Sequence, residues 1–210
     1  MKKKPCAAEH SPRKVNAVGC SRKDKTGASR MDKTVVAVKD VVTIKKIETL
    51  LRSRWGDTYA DAWRLGVNVG LRASDLVKLR YDDVRDECLY IQEQKTGKPR
   101  RIKLNAQALA TIRSRRLRTP ASDEWIFQSR RGGHIASGSL NKPFPDISKK
   151  VGMHLGTHSM RKTFGHAVYN ATGNIDLVAD ILNHSSIKQT RRYIGLEWEE
   201  HEEAYDALNL

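Results

Sequence analysis

Several residues of this chain have the types and spacing to hold a phosphate and attack it. Arg72 lies in Gly70-Leu71-Arg72-Ala73-Ser74-Asp75-Leu76, in a tight connection just before a helix with an acid in its first turn. A guanidinium held by neighbours in such a place is aimed well at a phosphate. Lys95 sits in Lys95-Thr96-Gly97-Lys98-Pro99, a turn from which an ammonium can reach into a groove or protonate a leaving oxygen. His158 and Arg161 follow Thr157, a residue suited to cap a helix, and their i, i+3 spacing places both on one face of its first turn. Free N–H groups at a helix start favour anions, so this segment reads as a phosphate cradle. His184 stands in Leu182-Asn183-His184-Ser185-Ser186, and Tyr193 lies nine residues further on in Thr190-Arg191-Arg192-Tyr193. A tyrosine oxygen becomes a covalent nucleophile when it is activated and positioned.

Taken singly, each has an ordinary structural reading. An arginine with an aspartate three residues on usually forms a local ion pair, a turn lysine is usually solvated, and a tyrosine usually packs its ring. His154 and His158 have i, i+4 spacing, but neither an HExxH glutamate nor a clear third ligand accompanies them, so no metal site is expected.

The elements that must carry these residues are mostly helical. Ile44, Ile47, Leu50 and Leu51 recur at helical spacing, as do Tyr59, Trp63, Gly66 and Val67, after which Gly70 ends the helix. Ser74 is suited to cap a helix bearing Leu76, Val77 and Leu79. Cys88–Ile91 and Arg101–Leu104 read as strands of a hairpin whose basic tip holds Lys95. Helical patterns return over 107–118, around 140–151, over 158–171 and over 175–182. The expected fold is mainly α with one small antiparallel sheet, in one domain.

Charge distribution narrows the partner. The 210 residues carry 39 Lys+Arg against 24 Asp+Glu, a formal charge of +15. Residues 1–33 hold ten Lys/Arg and three Asp/Glu, and residues 197–210 hold six acids and no Lys/Arg, so the body of the chain is itself strongly basic. A polyanion, most naturally nucleic acid, is the expected partner. No apolar run is long enough to span a membrane, and the basic N-terminus lacks the apolar region of a secretory signal. The three cysteines, Cys6, Cys20 and Cys88, have no CxxC spacing, which suits a reducing cytoplasm.

In this order, GLRASDL, KTGK, HSMRKTF and LNHSSIKQTRRY resemble the catalytic domain of the tyrosine recombinases, the phage-integrase family, over roughly residues 41–196. The resemblance implies that family's fold and site-specific cleavage and rejoining of double-stranded DNA with neither metal nor nucleotide cofactor. By the same resemblance Tyr193 attacks a scissile phosphate to form a 3′-phosphotyrosine bond. Arg72, Arg161 and His184 stabilise the phosphate oxygens, and Lys95 protonates the leaving 5′-oxygen. His158 exchanges a proton with Tyr193, and Asp75 holds Arg72 or His158. Self-assembly into a tetrameric synapse on DNA, with an accessory DNA-bending protein in some members and a nucleoid location, belongs to the same expectation. A catalytically inactive DNA-binding regulator and a type IB topoisomerase-like enzyme are the alternatives.

The chain departs from the pattern at three places. Asn183 stands where the family usually has glycine, a tolerable exchange if that residue needs φ > 0. Asp75 is shorter than the glutamate often found there. The core-binding domain that usually precedes the catalytic domain is not expected from these residues, as in short members such as the fimbrial-switch invertases. The expected organisation is a basic, disordered arm over 1–34 and a catalytic domain over 35–210, ending in an acidic helix at about 197–209. That helix packs either on a neighbouring subunit or on its own domain.

Overall fold

A computed structural model describes residues 34–118, 124–196 and 205–208. The expected arm over 1–34, apart from its last residue, and most of the acidic helix at 197–209 lie outside the described residues.

Helix α1 (Val41–Trp55) starts where the Asp40 carboxylate accepts from the Thr43 N–H at 2.7 Å, a side-chain cap for an otherwise unpaired donor. It buries Ile47 and Leu51 against α2 (Asp57–Val69), the central helix, whose Ala60, Trp63, Leu65 and Val69 are almost wholly excluded from water. Gly70, at φ 62°, ends α2 in the left-handed region as its position predicts. The chain then turns through Arg72 into the short α3 (Ala73–Val77). Arg72 itself is the N-cap, and Ser74 lies inside the helix, so the expected Ser74 cap is corrected. Backbone bonds explain the shift: the Arg72 carbonyl accepts from Asp75 N–H at 3.0 Å and Leu76 N–H at 2.8 Å.

The sheet has three antiparallel strands in sequential order, β1 (Val84–Arg85), β2 (Cys88–Gln92) and β3 (Pro99–Lys103). Leu89 pairs with Ile102 and Tyr90 with Arg101. Strand β1 is an addition to the expected hairpin. It joins β2 through Asp86 and Glu87, both at positive φ, a two-residue turn of the kind usually signalled by Asn-Gly.

Helix α4 (Ala106–Arg118) is held to α2 by a buried ion pair, Arg115 to Asp61 at 3.1 Å. The expected helix around 140–151 divides at Pro143 into a 3₁₀ turn (Ser137–Asn141) and α5 (Phe144–Val151), since proline suits a helix start and not its interior. Helix α6 (Thr157–Thr172) is capped by Gly156, whose N–H donates to the Ser159 hydroxyl at 3.2 Å, so Thr157 is the first helical residue and not the cap.

Helices α7 (Ile175–Ile181) and α8 (Ile187–Ile194) build a second, smaller core from Val178, Leu182, Ile194 and Leu196, with Phe164 and Tyr193 packed on it. Gly165 lets α8 approach α6, because a Cβ there lies only 2.8 Å from Ile194 Cγ2. The fold is mainly α with a small antiparallel sheet, as expected.

Candidate active site

The site grows from three joints in the chain. The first is the Gly70–Arg72 connection. The Arg72 guanidinium crosses to the end of β2 and donates to Glu93 Oε2 at 3.0 Å. It does not pair with Asp75, and this corrects the expected support. Arg72 precedes the helix in extended backbone, so the i, i+3 relation of two helical residues does not bring the two side chains together. Asp75 is buried and accepts from the Gln94 N–H at 3.2 Å through Oδ1, while Oδ2 has no partner among the described residues. It holds neither Arg72 nor His158 by a hydrogen bond.

The second joint is the β2–β3 hairpin. Lys95 is exposed on the turn and makes no ion pair among the described residues. Glu93, two residues earlier, is only 2% exposed. Its carboxylate also accepts from Arg100 at 2.8 Å, Thr96 at 3.0 Å and Asn183 at 3.3 Å. These donors favour the ionised form enough to outweigh burial, and the pKa falls to about 2. Glu93 was not among the residues expected to matter. The one trace of it in the sequence is the strand period of two, which puts Glu93 on the side of Leu89 and Ile91.

The third joint is the packing of α6 against α7 and α8. Arg161 is 2% exposed and donates to two carbonyls, Gly70 at 2.6 Å and Leu182. One buried guanidinium therefore ties the first joint to the loop bearing His184. Burial, followed by the charge of Arg72, lowers the Arg161 pKa to about 10. Asn183 adopts φ 49°, the left-handed geometry in which asparagine is the tolerable exchange for glycine.

Tyr193 lies on α8, a helix not expected from sequence. Its ring stands edge-on to His184, with centroids 4.9 Å apart and planes at 84°, and Lys162 Nζ lies 5.1 Å from the ring centroid. Burial raises the Tyr193 pKa, while the charges of Arg161 and Arg72 oppose the rise. His184 Nδ1 lies 3.1 Å from the Thr190 hydroxyl, and burial reinforced by Arg161 and Arg72 lowers the imidazole pKa to about 4. His158 is lowered too, by burial first and then by Arg161, Lys162 and Arg72. Among the described residues it makes no hydrogen bond to Tyr193; His184 and Lys162 are the groups against the phenol ring.

Arg161 and Arg72 thus act electrostatically on His158, His184 and Tyr193, and the turn of Lys95 connects to Arg72 through Thr96 and Glu93. Lys162 and Glu93 are additions that sequence reading missed. Cations outnumber anions in the cluster: Arg72 and Arg100 pair with Glu93, the principal anion, while Arg161 lies among carbonyls and Lys162 lies against the Tyr193 ring. Burial is the first cause of the lowered pKa values of Arg161 and both histidines and the neighbouring cations add to it, a second contribution that an anion carrying several oxygens would offset. Among the described residues no group of three or more His, Cys, Asp or Glu is arranged to hold a metal, and no helix is long and apolar enough to cross a membrane.

Residues 45–200 match the model of the phage integrase family. The chain is 34% identical over 143 residues to a probable integrase/recombinase, YoeC, of Bacillus subtilis, covering 67% of this chain and 78% of that protein. It is 30% identical over 144 residues to the tyrosine recombinase XerC of Xanthomonas axonopodis pv. citri, covering 67% of this chain and 47% of the relative. The chain therefore spans about half the length of that relative. The fold is similar to that of the XerA recombinase (TM-score 0.66, 20% identity, 87% of this chain and 66% of that one). It is also similar to that of a lambda integrase dimer bound to a COC′ core site (TM-score 0.63, 21% identity, 82% and 63%).

Proposed function

The chain belongs to the phage integrase family, and on that premise we propose that it is a site-specific DNA recombinase with Tyr193 as its covalent nucleophile. The observation that carries this reading is geometric: the half-buried Tyr193 ring stands edge-on to His184 at 4.9 Å, and Arg161 ties the loop of His184 to the Gly70–Arg72 connection. A nucleophile and two cations suited to a phosphate meet at one place.

The chemistry follows from the groups present. The Tyr193 oxygen attacks the scissile phosphorus as the bond from phosphorus to the 5′-oxygen breaks, leaving a 3′-phosphotyrosine and a 5′-hydroxyl. Arg72 and Arg161 stabilise the charge that gathers on the non-bridging oxygens, and His184 adds a hydrogen bond there. The leaving oxygen takes a proton from Lys95, a step of the kind generally worth ~10²–10⁴-fold. The phenol, whose pKa is raised, must lose its proton on attack. His158 accepts it, since its lowered pKa keeps the ring neutral at neutral pH. A second 5′-hydroxyl then attacks the phosphotyrosine and releases Tyr193. The covalent bond conserves the phosphodiester linkage, so rejoining draws on no nucleotide.

Double-stranded DNA is the partner proposed from the basic body of the chain and the DNA-bound fold neighbour. Assembly of four copies in a synapse, help from a DNA-bending protein, a nucleoid location and phosphate contacts from the basic arm over 1–34 belong to the same reading. A nicked duplex carrying a candidate recombination site tests it, because loss of the short cleaved strand traps the covalent adduct. The wild-type chain gives a denaturant-resistant protein–DNA adduct mapping to Tyr193. Tyr193→Phe abolishes the adduct and leaves DNA binding largely intact. An adduct that survives in Tyr193→Phe refutes the assignment, and binding without any wild-type adduct points to a non-catalytic regulator.

A further inference from the structure

We propose that Glu93 is a positioning residue that holds the Lys95 turn against Arg72. The inference rests on the recombinase reading, in which Lys95 protonates the leaving oxygen. It starts from a difference in how the two cations are held. Arg72 is fixed by an ion pair at 3.0 Å, whereas Lys95 is exposed on a turn with no ion pair of its own among the described residues. A lysine on a turn samples many positions, and general-acid catalysis requires its nitrogen within hydrogen-bond reach of the leaving oxygen. Something must therefore restrict the turn.

Glu93 has the connections for that task. On the turn side, its Oε2 accepts from the Thr96 hydroxyl at 3.0 Å, the residue directly after Lys95. Its backbone closes the same turn, with Glu93 N–H donating to the Lys98 carbonyl at 3.0 Å and Gly97 N–H donating to the Glu93 carbonyl at 2.8 Å. On the body side, Oε2 also accepts from Arg72 and from Asn183, the residue before His184. Oε1 accepts from Arg100 at 2.8 Å, and Arg100 donates its other nitrogen to the Ile181 carbonyl at 2.6 Å. One carboxylate thus joins the turn of Lys95, the side chain of Arg72 and the loop of His184. A glutamate almost wholly buried with several donors around it is rigid in a way that a surface ion pair is not.

The test separates positioning of Lys95 from general stiffening. Single-turnover adduct formation is measured with the full chain on the nicked duplex, and again on a duplex in which sulfur replaces the bridging 5′-oxygen at the scissile phosphate. A thiol has a pKa of about 8.5, so sulfur leaves without needing the lysine's proton. Lys95→Ala calibrates the comparison. Thr96→Val cuts the link between the Glu93 carboxylate and the turn while leaving the backbone bonds and the buried ion pairs in place, and Glu93→Gln removes the charge at the centre.

Thr96→Val is expected to slow the oxygen reaction by about 10-fold, a part of the full general-acid contribution, with most of the loss restored by sulfur. Glu93→Gln is expected to lose more with oxygen than with sulfur and to retain a residual loss with sulfur, because Arg72 is also released. DNA binding by both variants stays within about twofold of wild type, since neither residue is a phosphate-binding cation. Equal loss on the two substrates, or no loss on either, overturns the assignment of Glu93. Because Thr96→Val leaves the buried cluster intact, its result stands even if Glu93→Gln folds poorly. Failure of the wild-type chain to form an adduct on either substrate overturns the recombinase reading itself, and the positioning role with it. Wild-type adduct with a loss indifferent to the leaving group overturns only the latter.

Discussion

Gly70→Ala tests how the two arginines are held around one backbone joint. Gly70 has φ +62°, and a Cβ placed on it lies 2.2 Å from Phe164 Cδ1, 2.6 Å from Cε1 and 2.7 Å from Cγ. Rotating the Phe164 ring moves the first two atoms but not Cγ, so the side chain or α6 must shift. The left-handed conformation costs an alanine about 1–2 kcal/mol relative to glycine. Forcing an extra carbon into a packed contact adds about 1–3 kcal/mol. The expected loss is therefore about 2–5 kcal/mol. Gly173→Ala is the control, because Gly173 has φ +63° and nothing within 4 Å of the added carbon. It should lose only the conformational cost, about 1–2 kcal/mol.

Urea denaturation at 25 °C measures both variants, with unchanged slopes licensing comparison of midpoints. The Gly70 carbonyl also accepts from Arg161 at 2.6 Å, and Arg72 follows two residues later. Gly70→Ala should accordingly slow adduct formation more than Gly173→Ala does. Equal destabilisation by the two substitutions would show that Phe164 does not confine Gly70 and would refute the argument.

Glu93→Gln should lower stability in a pH-dependent way. The folded-state pKa of Glu93 is depressed from 4.5 to about 2, so its contribution is fully present above the unfolded value and is lost as pH falls through the folded one. At pH 7 the variant should be less stable than wild type by about 3 kcal/mol, with the gap closing between about pH 4.5 and pH 2. Denaturant titrations across that range measure it, and a gap independent of pH would contradict the ion-pair account. At Asn183, with φ 49°, both glycine and valine lose the hydrogen bond to Glu93, and valine should be less stable than glycine by a further ~1–2 kcal/mol through left-handed strain. Urea midpoints decide between them, and a valine variant as stable as the glycine variant would remove the geometric reason for Asn183.

Much of the scaffold was legible along the chain. Periodic apolar residues located α1, α2, α4 and α6, because a helix that buries one face must repeat its apolar residues at helical spacing. Gly70 was legible for a related reason, because left-handed backbone selects for glycine, whereas at Asn183 the sequence offered only that asparagine suits φ > 0, and the fold supplies that φ. Strand β1 and helix α8 were not. The former has only two residues and a turn without the usual Asn-Gly signal. The latter carries the polar, basic run Lys188-Gln189-Thr190-Arg191-Arg192, which masks a short apolar face made mainly by Tyr193 and Ile194.

The sequence by itself determined the order and identity of Arg72, Lys95, His158, Arg161, His184 and Tyr193, and with them the family. Tertiary structure decided which groups support one another. Local spacing suggested Asp75 for Arg72, yet the partner is Glu93, 21 residues away and brought there by the β2–β3 hairpin. Spacing also could not show that Arg161 bonds carbonyls at Gly70 and Leu182, 91 residues before it and 21 after. Nor could it place His184 and Lys162 against the Tyr193 ring. Helix and strand periods constrain neighbours within an element, whereas contacts between elements depend on how α6, α7, α8 and the hairpin pack. Gly165 shows the connection, for the absence of one side chain on α6 allows the approach of the helix that carries Tyr193.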